Sequence, residues 1–381
     1  MSELLFNQAD RCLTCVHPTC RSGCPLGNDI PAVIKLIRSG DYAQAVQTIG
    51  HPFGEICGYV CPSENLCQGS CVLSKRGNPV LTGIVERELF AEHPYVVERK
   101  GNALKGKNYA VVGGGVAGLT FAVKVYEQGA DVTVYERFDL LSTIKLIPNL
   151  RLPYDVILRV EQALSNRFAI VREQISGERL KTLKTLFDGV YVATGLALDY
   201  GLGVEGEKLA TPYRDCLNGN YRHGTVVVVG GGNSAMDCAR LVKSQGSRSV
   251  VAYRRMESDM PAFAKEIAQA KDEGVEFRFN TAPVKLVEAG GKLNLTLAKT
   301  VSEGRGKLTV TDDTFDLECD SVIAAIGSKF DGTILSCDKN ADSYLQYDNV
   351  YLGGDAKRGK LVVDAVYDGL RAAEQIIKNR G

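Results

Sequence analysis

The sequence predicts an α/β protein with two Rossmann-like nucleotide-binding domains, one inserted into the other, preceded by a small all-α domain. Three observations predict it. Eight of the twelve cysteines fall in two bursts within the first 71 residues. A glycine loop flanked by strand, helix and strand begins at Gly113. A second loop of the same kind begins at Gly230, and apolar strands on either side of it suit a chain that leaves one domain and returns.

The 381 residues are long enough for two or three cores. Lys+Arg equals Asp+Glu at 45 each, so charge gives no reason to expect nucleic acid or an anionic membrane as partner. No apolar run approaches the roughly 18 residues of a membrane helix. The opening "MSELLFNQADRC" lacks the basic-then-apolar order of a secretory signal, so the expected compartment is the cytoplasm. Disulfides rarely persist there, and clustered cysteines point to metal or redox chemistry.

The first burst reads Cys12-x2-Cys15-x4-Cys20-x3-Cys24-Pro25, and the second Cys57-x3-Cys61-Pro62-x4-Cys67-x3-Cys71. Between them Ile30, Val33, Ile34 and Ile37 fall at helical spacing after Asp29, a plausible cap. Asp41 can cap a second short helix containing Ala43, Ala45 and Val46. A helical domain of this kind can fold the bursts together around iron–sulfur clusters. Zinc sites and simple buried cysteines are the other readings, but uneven gaps and two Cys-Pro steps fit zinc ribbons poorly.

In "NYAVVGGGVAGLTFAVKVYEQGADVTVYER" a strand from Tyr109 to Val112 leads into Gly113-x-Gly115-x-x-Gly118. Such glycines let the backbone approach a pyrophosphate at a helix N-terminus. A second strand, Val132 to Tyr135, ends in Glu136, placed to accept from a ribose. "GTVVVVGGGNSAMDCARLVKSQGSRSVVAYRR" repeats the design with Gly230, Gly232, Asn233 and Ala235, but its second strand ends in Arg254 and Arg255. Guanidinium groups grip a 2′-phosphate that a carboxylate would repel. The first site is therefore expected to take FAD and the second NADPH in preference to NADH. The plainer reading of the two arginines is a solvated turn.

"VYVATG" (190–195) and "CDSVIAAIG" (319–327) read as the crossing strands, and "NVYLGGDAKRGKLVVDAVYDGLRAAEQI" as the return to the FAD domain, closed by a helix from Val366 to Ile376. The expected domains are 1–100 (α-helical, two 4Fe-4S clusters), 101–200 (FAD, first part), 201–318 (NADPH) and 319–381 (FAD, second part).

These motifs resemble a family: the small subunit of glutamate synthase and the N-terminal half of dihydropyrimidine dehydrogenase. The larger subunit of NADH-dependent ferredoxin:NADP oxidoreductase is similar too. The resemblance runs in order through both bursts, "GGGVAG", "RLP" at 151–153, "ATG", "GGGNSAMDCAR", "YRRMESDMPA" and "GGDAKRG". It implies one 4Fe-4S cluster on Cys12, Cys15, Cys20 and Cys71. It implies a second on Cys24, Cys61 and Cys67 with Glu86 as a non-cysteine ligand, while Cys57 matches a cysteine that does not ligate. It further implies that Asp355 contacts the FAD ribityl chain, that the backbone from Val363 to Ala365 faces the flavin pyrimidine edge, and that Arg151 belongs with the cofactor-binding residues.

One departure stands out. Ser142-Thr143 occupies the place of a family Gly-Gly pair, about two residues are missing after it, and the stretch from Asn166 to Leu186 is short. An altered pocket near the flavin ring is the expectation.

A twin dinucleotide protein can also be a disulfide reductase. Here the only cysteine near the second glycine loop is Cys238, which reads as a small buried apolar residue. Of four histidines, His17 lies inside the cluster loop and reads as a loop residue. No catalytic acid or base is singled out. The expected activity is an NAD(P)H-dependent FAD and iron–sulfur oxidoreductase. It would feed electrons to a larger catalytic subunit or a ferredoxin-like acceptor in a hetero-oligomer. A non-catalytic iron–sulfur assembly subunit and an electron-bifurcating subunit stay open, as does the terminal acceptor.

Overall fold

The computed structural model describes residues 2–302, 306–335, 345–347, 349–357 and 361–379. Arg358 and Gly359 of the "GGDAKRG" motif lie outside them. Two compact units result: residues 1–145 with 151–196 and 330–381, and residues 197–329 with 146–150.

The first unit opens with short helices. Asp29 accepts from Ala32 N–H at 3.1 Å to start Ile30–Arg38, and Asp41 accepts from Gln44 N–H at 3.2 Å to start Tyr42–Ile49. Both caps are where the sequence places them, because a short acid before an apolar stripe satisfies backbone donors the helix cannot. Leu5, Val33, Ile34, Ile37, Phe53 and Leu89 are wholly buried, so these helices share one core. Gly54–Val60 and Thr82–Glu92 meet at two glycines. A Cβ on Gly58 would stand 2.6 Å from the carbonyl oxygen of Gly83, and one on Gly83 would stand 2.9 Å from that of Gly58.

A six-stranded sheet completes this unit. Its order is Leu345–Tyr347, Val350–Leu352, Gly189–Val192, Asn108–Val112, Asp131–Glu136 and Ala169–Arg172. All neighbours are parallel except the first pair. Asn108–Val112 is buried from Tyr109 onward, as a central parallel strand covered on both faces must be. Two helices, Val116–Glu127 and Val362–Lys378, touch closely: a Cβ on Gly369 would stand 2.6 Å from the carbonyl oxygen of Ala117. The second helix starts four residues before the expected Val366. Asp364 accepts from the Leu361 N–H at 3.2 Å and extends the first turn through two β-branched residues.

In the second unit the parallel order is Thr211–Pro212, Ser321–Ala324, Thr225–Val229, Arg248–Tyr253 and Glu276–Phe279. An antiparallel meander, Thr281–Ala289, Lys292–Ser302 and Leu308–Cys319, accompanies it and was not anticipated from sequence. Leu293, Leu295 and Leu297 alternate inward along its middle strand. Leu198–Asp199 and Ser328–Lys329, near where the chain enters and leaves this unit, pair as a short antiparallel ribbon. Among the described residues no helix is long and apolar enough to cross a membrane.

Candidate cofactor-binding centres

The structure brings the cysteines into two groups that cross the bursts. In the first, the Cys12 and Cys20 thiols are pushed up chiefly by burial. Cys15 and Cys71 add to the effect at Cys12, and Cys71 and Cys12 carry Cys20 up to about 11. Thr14, between Cys12 and Cys15, takes the left-handed φ of 47°, a tight bend that turns the loop. Arg38 straps the loop by donating to the carbonyls of Ala9 at 2.6 Å and Cys12 at 2.7 Å. His17, beside Cys15, is exposed.

In the second group, Cys24, Cys61, Cys67 and Glu86 line one pocket. Burial raises all four, and the half-buried Glu86 is pushed up to about 7. Glu86 is also the largest charged neighbour pushing up the thiols of Cys24, Cys61 and Cys67. Asn28 donates to Glu86 Oε1 at 3.3 Å, and Cys67 Sγ lies 2.9 Å from Thr82 Oγ1. Cys57 lines the same pocket from the helix preceding Cys61. His51 lines it too, wholly buried. Sequence reasoning singled out neither Asn28 nor His51; the run "HPFG" before the second burst is the only local signal for the latter.

All the described cysteines are free thiols. Among the described residues no three His, Cys, Asp or Glu side chains converge tightly enough for one metal ion. Soft thiolates that crowd one another without closing on a single point are the donor set of a multi-iron cluster, whose ligands bind different irons. The residues present fit that group.

At the first glycine loop Gly113 N–H donates to Tyr135 O at 2.8 Å, and Ala193 N–H to Val112 O at 2.8 Å. The second loop repeats both bonds: Gly230 to Ala252 O at 3.1 Å and Ala325 to Val229 O at 2.9 Å. Gly113 has φ 112°, and a Cβ there would strike the Ala193 carbonyl, so only glycine makes this turn. Gly115 and Gly232 face open space at the starts of Val116–Glu127 and Asn233–Ser244, leaving helix N-termini accessible to phosphate. Gly118 and Ala235 are buried in those helices, small enough for the helix to lie against its strand. Glu136 turns its carboxylate onto the loop, accepting from Gly114 N–H at 2.7 Å and Phe138 N–H at 2.8 Å.

Around this cradle stand polar atoms suited to a ligand. Thr194 Oγ1 and Asp355 Oδ1 are buried without a hydrogen-bond partner among the described residues. Burial raises the Asp355 carboxyl from 3.8 to about 6, with Asp364 and Asp368 adding to it. Arg151 is half-buried at the start of the "RLP" turn, and Val363 and Ala365 lie in the first turn of the closing helix. Val363 also lines the pocket of Cys24, Cys61, Cys67 and Glu86.

The Ser142-Thr143 departure has a structural counterpart. Leu141 takes a left-handed φ of 56°, wholly buried, and donates its N–H to Gly114 O at 3.0 Å. Leu140 packs on Gly114, where an added Cβ would stand 2.5 Å from Leu140 Cδ2. The chain thus makes with leucine a turn for which glycine is the usual residue, at a cost of about 1 kcal/mol.

In the second unit Asn233 Oδ1 accepts from Phe263 N–H at 3.0 Å, and Ala262 N–H donates to Gly231 O at 3.1 Å. Asn233 therefore holds the "MPAF" segment over the loop. Arg254 is exposed and Arg255 half-buried at the end of their strand, available to an anion. Cys238 is wholly buried as expected, but it is not the only cysteine there. Cys216, also wholly buried, is its hydrogen-bond neighbour, and the pair lies inside the apolar core, where burial pushes Cys238 well up.

Residues 1–94 match the family described as dihydropyrimidine dehydrogenase domain II, 4Fe-4S cluster. Residues 107–369 match pyridine nucleotide-disulphide oxidoreductase. The chain is 31% identical to the glutamate synthase (NADPH) small chain of Azospirillum brasilense, over 98% of this chain and 89% of that one. It is 30% identical to the Escherichia coli small chain, over 97% and 90%. The chain belongs to the glutamate synthase small-chain family of pyridine nucleotide oxidoreductases. Its fold is that of Lactococcus lactis thioredoxin reductase at TM-score 0.58 and 16% identity, over 72% of this chain and 99% of that one. This chain thus joins a 4Fe-4S domain to a pyridine nucleotide oxidoreductase domain.

Proposed function

We propose that the protein is an NADPH-oxidising electron-input subunit. It holds NADPH in domain 201–318, FAD in 101–200 with 319–381, and two 4Fe-4S clusters in 1–100. It delivers single electrons to a partner catalytic subunit or a ferredoxin-like acceptor. Cys12, Cys15, Cys20 and Cys71 hold one cluster; Cys24, Cys61, Cys67 and Glu86 hold the other. When bound, these groups supply all the redox chemistry, from hydride acceptance to one-electron transfer. The chain's residues position them. Gly113, Gly115 and Gly118 present backbone to the FAD pyrophosphate, Glu136 takes the ribose, and Asp355 accepts from the ribityl chain. Gly230, Gly232 and Ala235 do the same for NADPH, whose 2′-phosphate Arg254 and Arg255 grip.

The observation that carries this reading is the pocket that Val363 shares with the second cysteine group. The turn assigned to the flavin edge lies against the ligands assigned to a cluster, which supports electrons passing directly between the two. The test is an absorbance titration of anaerobically purified protein with NADPH. Flavin bands and a broad cluster shoulder that bleach together are expected. A shoulder without flavin, unresponsive to NADPH, would leave an iron–sulfur assembly subunit, the reading favoured by Leu140 and Leu141 crowding the Gly114 turn.

Two substitutions probe the assignments. Arg254→Leu with Arg255→Glu removes charge-assisted bonds of about 1.5–3 kcal/mol each. The NADPH KM should rise roughly tenfold or more while that for NADH changes little. Equal kinetics with both nucleotides, before and after, would overturn the 2′-phosphate role. Glu86→Ala should lower cluster iron by roughly half, one of two equal clusters. Wild-type iron content and EPR would remove Glu86 from the ligand set.

A further inference from the structure

We propose that His51 donates a hydrogen bond from Nε2 to the cluster held by Cys24, Cys61, Cys67 and Glu86, and so raises the potential at which that cluster is reduced. The inference rests on the cluster assignment above and adds to it a residue that sets electron flow.

The geometry fixes the tautomer of the ring. His51 is wholly buried, and the residues that follow it, Pro52 to Ile56, are buried as well. Its Nδ1 accepts from Phe53 N–H at 3.2 Å, at the mouth of the Gly54–Val60 helix. A nitrogen that accepts carries no proton, so the ring's proton sits on Nε2. Nε2–H is therefore a donor, and it is buried without a partner among the described residues. Buried donors are nearly always paired, and the exceptions mark unseen partners. The pocket that His51 lines is the one formed by Cys24, Cys61, Cys67 and Glu86.

A cluster gains negative charge on reduction, and a donor aimed at its sulfur or thiolate favours that state. The same pocket includes Val363, so the cluster tuned in this way is the one against the flavin turn. A higher potential there makes it the first acceptor and holds the electron until it moves outward.

The test uses the full chain with its clusters and flavin. His51→Leu and His51→Asn are poised over a range of potentials and read by EPR, and reduced wild-type protein labelled with 15N-histidine is read by pulsed EPR. In His51→Leu the reduced-to-oxidised ratio of the second cluster at fixed potential should fall about tenfold, or 59 mV for one electron. The first cluster should not move. His51→Asn, which keeps an amide donor, should recover part of the shift. A weak 15N coupling should appear in the reduced wild type and vanish in both variants. Both clusters present at wild-type potentials in both variants, or no 15N coupling, overturns the role of His51 and leaves the cluster assignment standing. Wild-type iron sufficient for only one cluster overturns both. If His51→Leu fails to assemble, the Asn variant and the labelled wild type decide.

Discussion

Gly58→Val is expected to destabilise the protein by about 1–3 kcal/mol through overpacking and to remove the second cluster. The glycine is required for space. Its Cβ would lie 2.6 Å from the carbonyl oxygen of Gly83 and 2.7 Å from the backbone N of Arg87, and backbone atoms cannot swing aside as a side chain tip can. Relief requires the Gly54–Val60 and Thr82–Glu92 helices to separate. Glu86 is one turn beyond Gly83, and Cys57 and Cys61 flank Gly58, so separation carries the carboxylate away from the thiols that share its pocket. Urea unfolding gives the stability, and iron content with EPR gives the cluster. Wild-type stability with full iron in Gly58→Val would mean that the helix contact does not hold the ligands together.

The contrast between this contact and the glycine loops shows what the sequence made legible. Gly113, Gly115 and Gly118 announce themselves because strand, loop, helix and acid follow one another along the chain, and local physics dictates each step. The caps at Asp29 and Asp41 were readable for the same reason. Gly58 and Gly83 are 25 residues apart and matter only because two helices cross there, which no local pattern encodes. His51 acquires its meaning from Cys24, Cys61 and Glu86, distant in sequence. Cys216 precedes Cys238 by 22 residues on a separate helix, and only the packed core pairs them. Leu141 shows a different limit: a left-handed leucine is disfavoured by its own side chain, so propensity argues against the turn that tertiary contacts impose. The meander is the missed element that was readable. The alternation of Leu293, Leu295 and Leu297 with polar residues is a strand signature in its own right.

Asp355 leads to a second large effect, one that links the flavin site to stability. Raising the pH from 3 to 7 should destabilise the flavin-free protein by about 3 kcal/mol at this one carboxyl, for a shift of about 2 units at 1.36 kcal/mol each. The folded carboxyl keeps its proton up to about 6, whereas the unfolded one releases it near its ordinary 3.8. Between those values the folded state binds more protons, so stability is fully present below the lower one, falls as pH rises through the window, and does not return above it. Asp355→Asn should flatten that slope and leave the flavin-free protein more stable at pH 7, as followed by urea unfolding across the range. The same substitution should weaken FAD binding, because a neutral amide accepts from a hydroxyl less strongly than a carboxylate does. A steep slope persisting in Asp355→Asn would assign it to other groups, and unaltered FAD affinity would remove Asp355 from the flavin site. Stability lost without ligand and affinity gained with it are then two consequences of one carboxylate, its Oδ1 buried without a partner among the described residues and its charge opposed by Asp364 and Asp368.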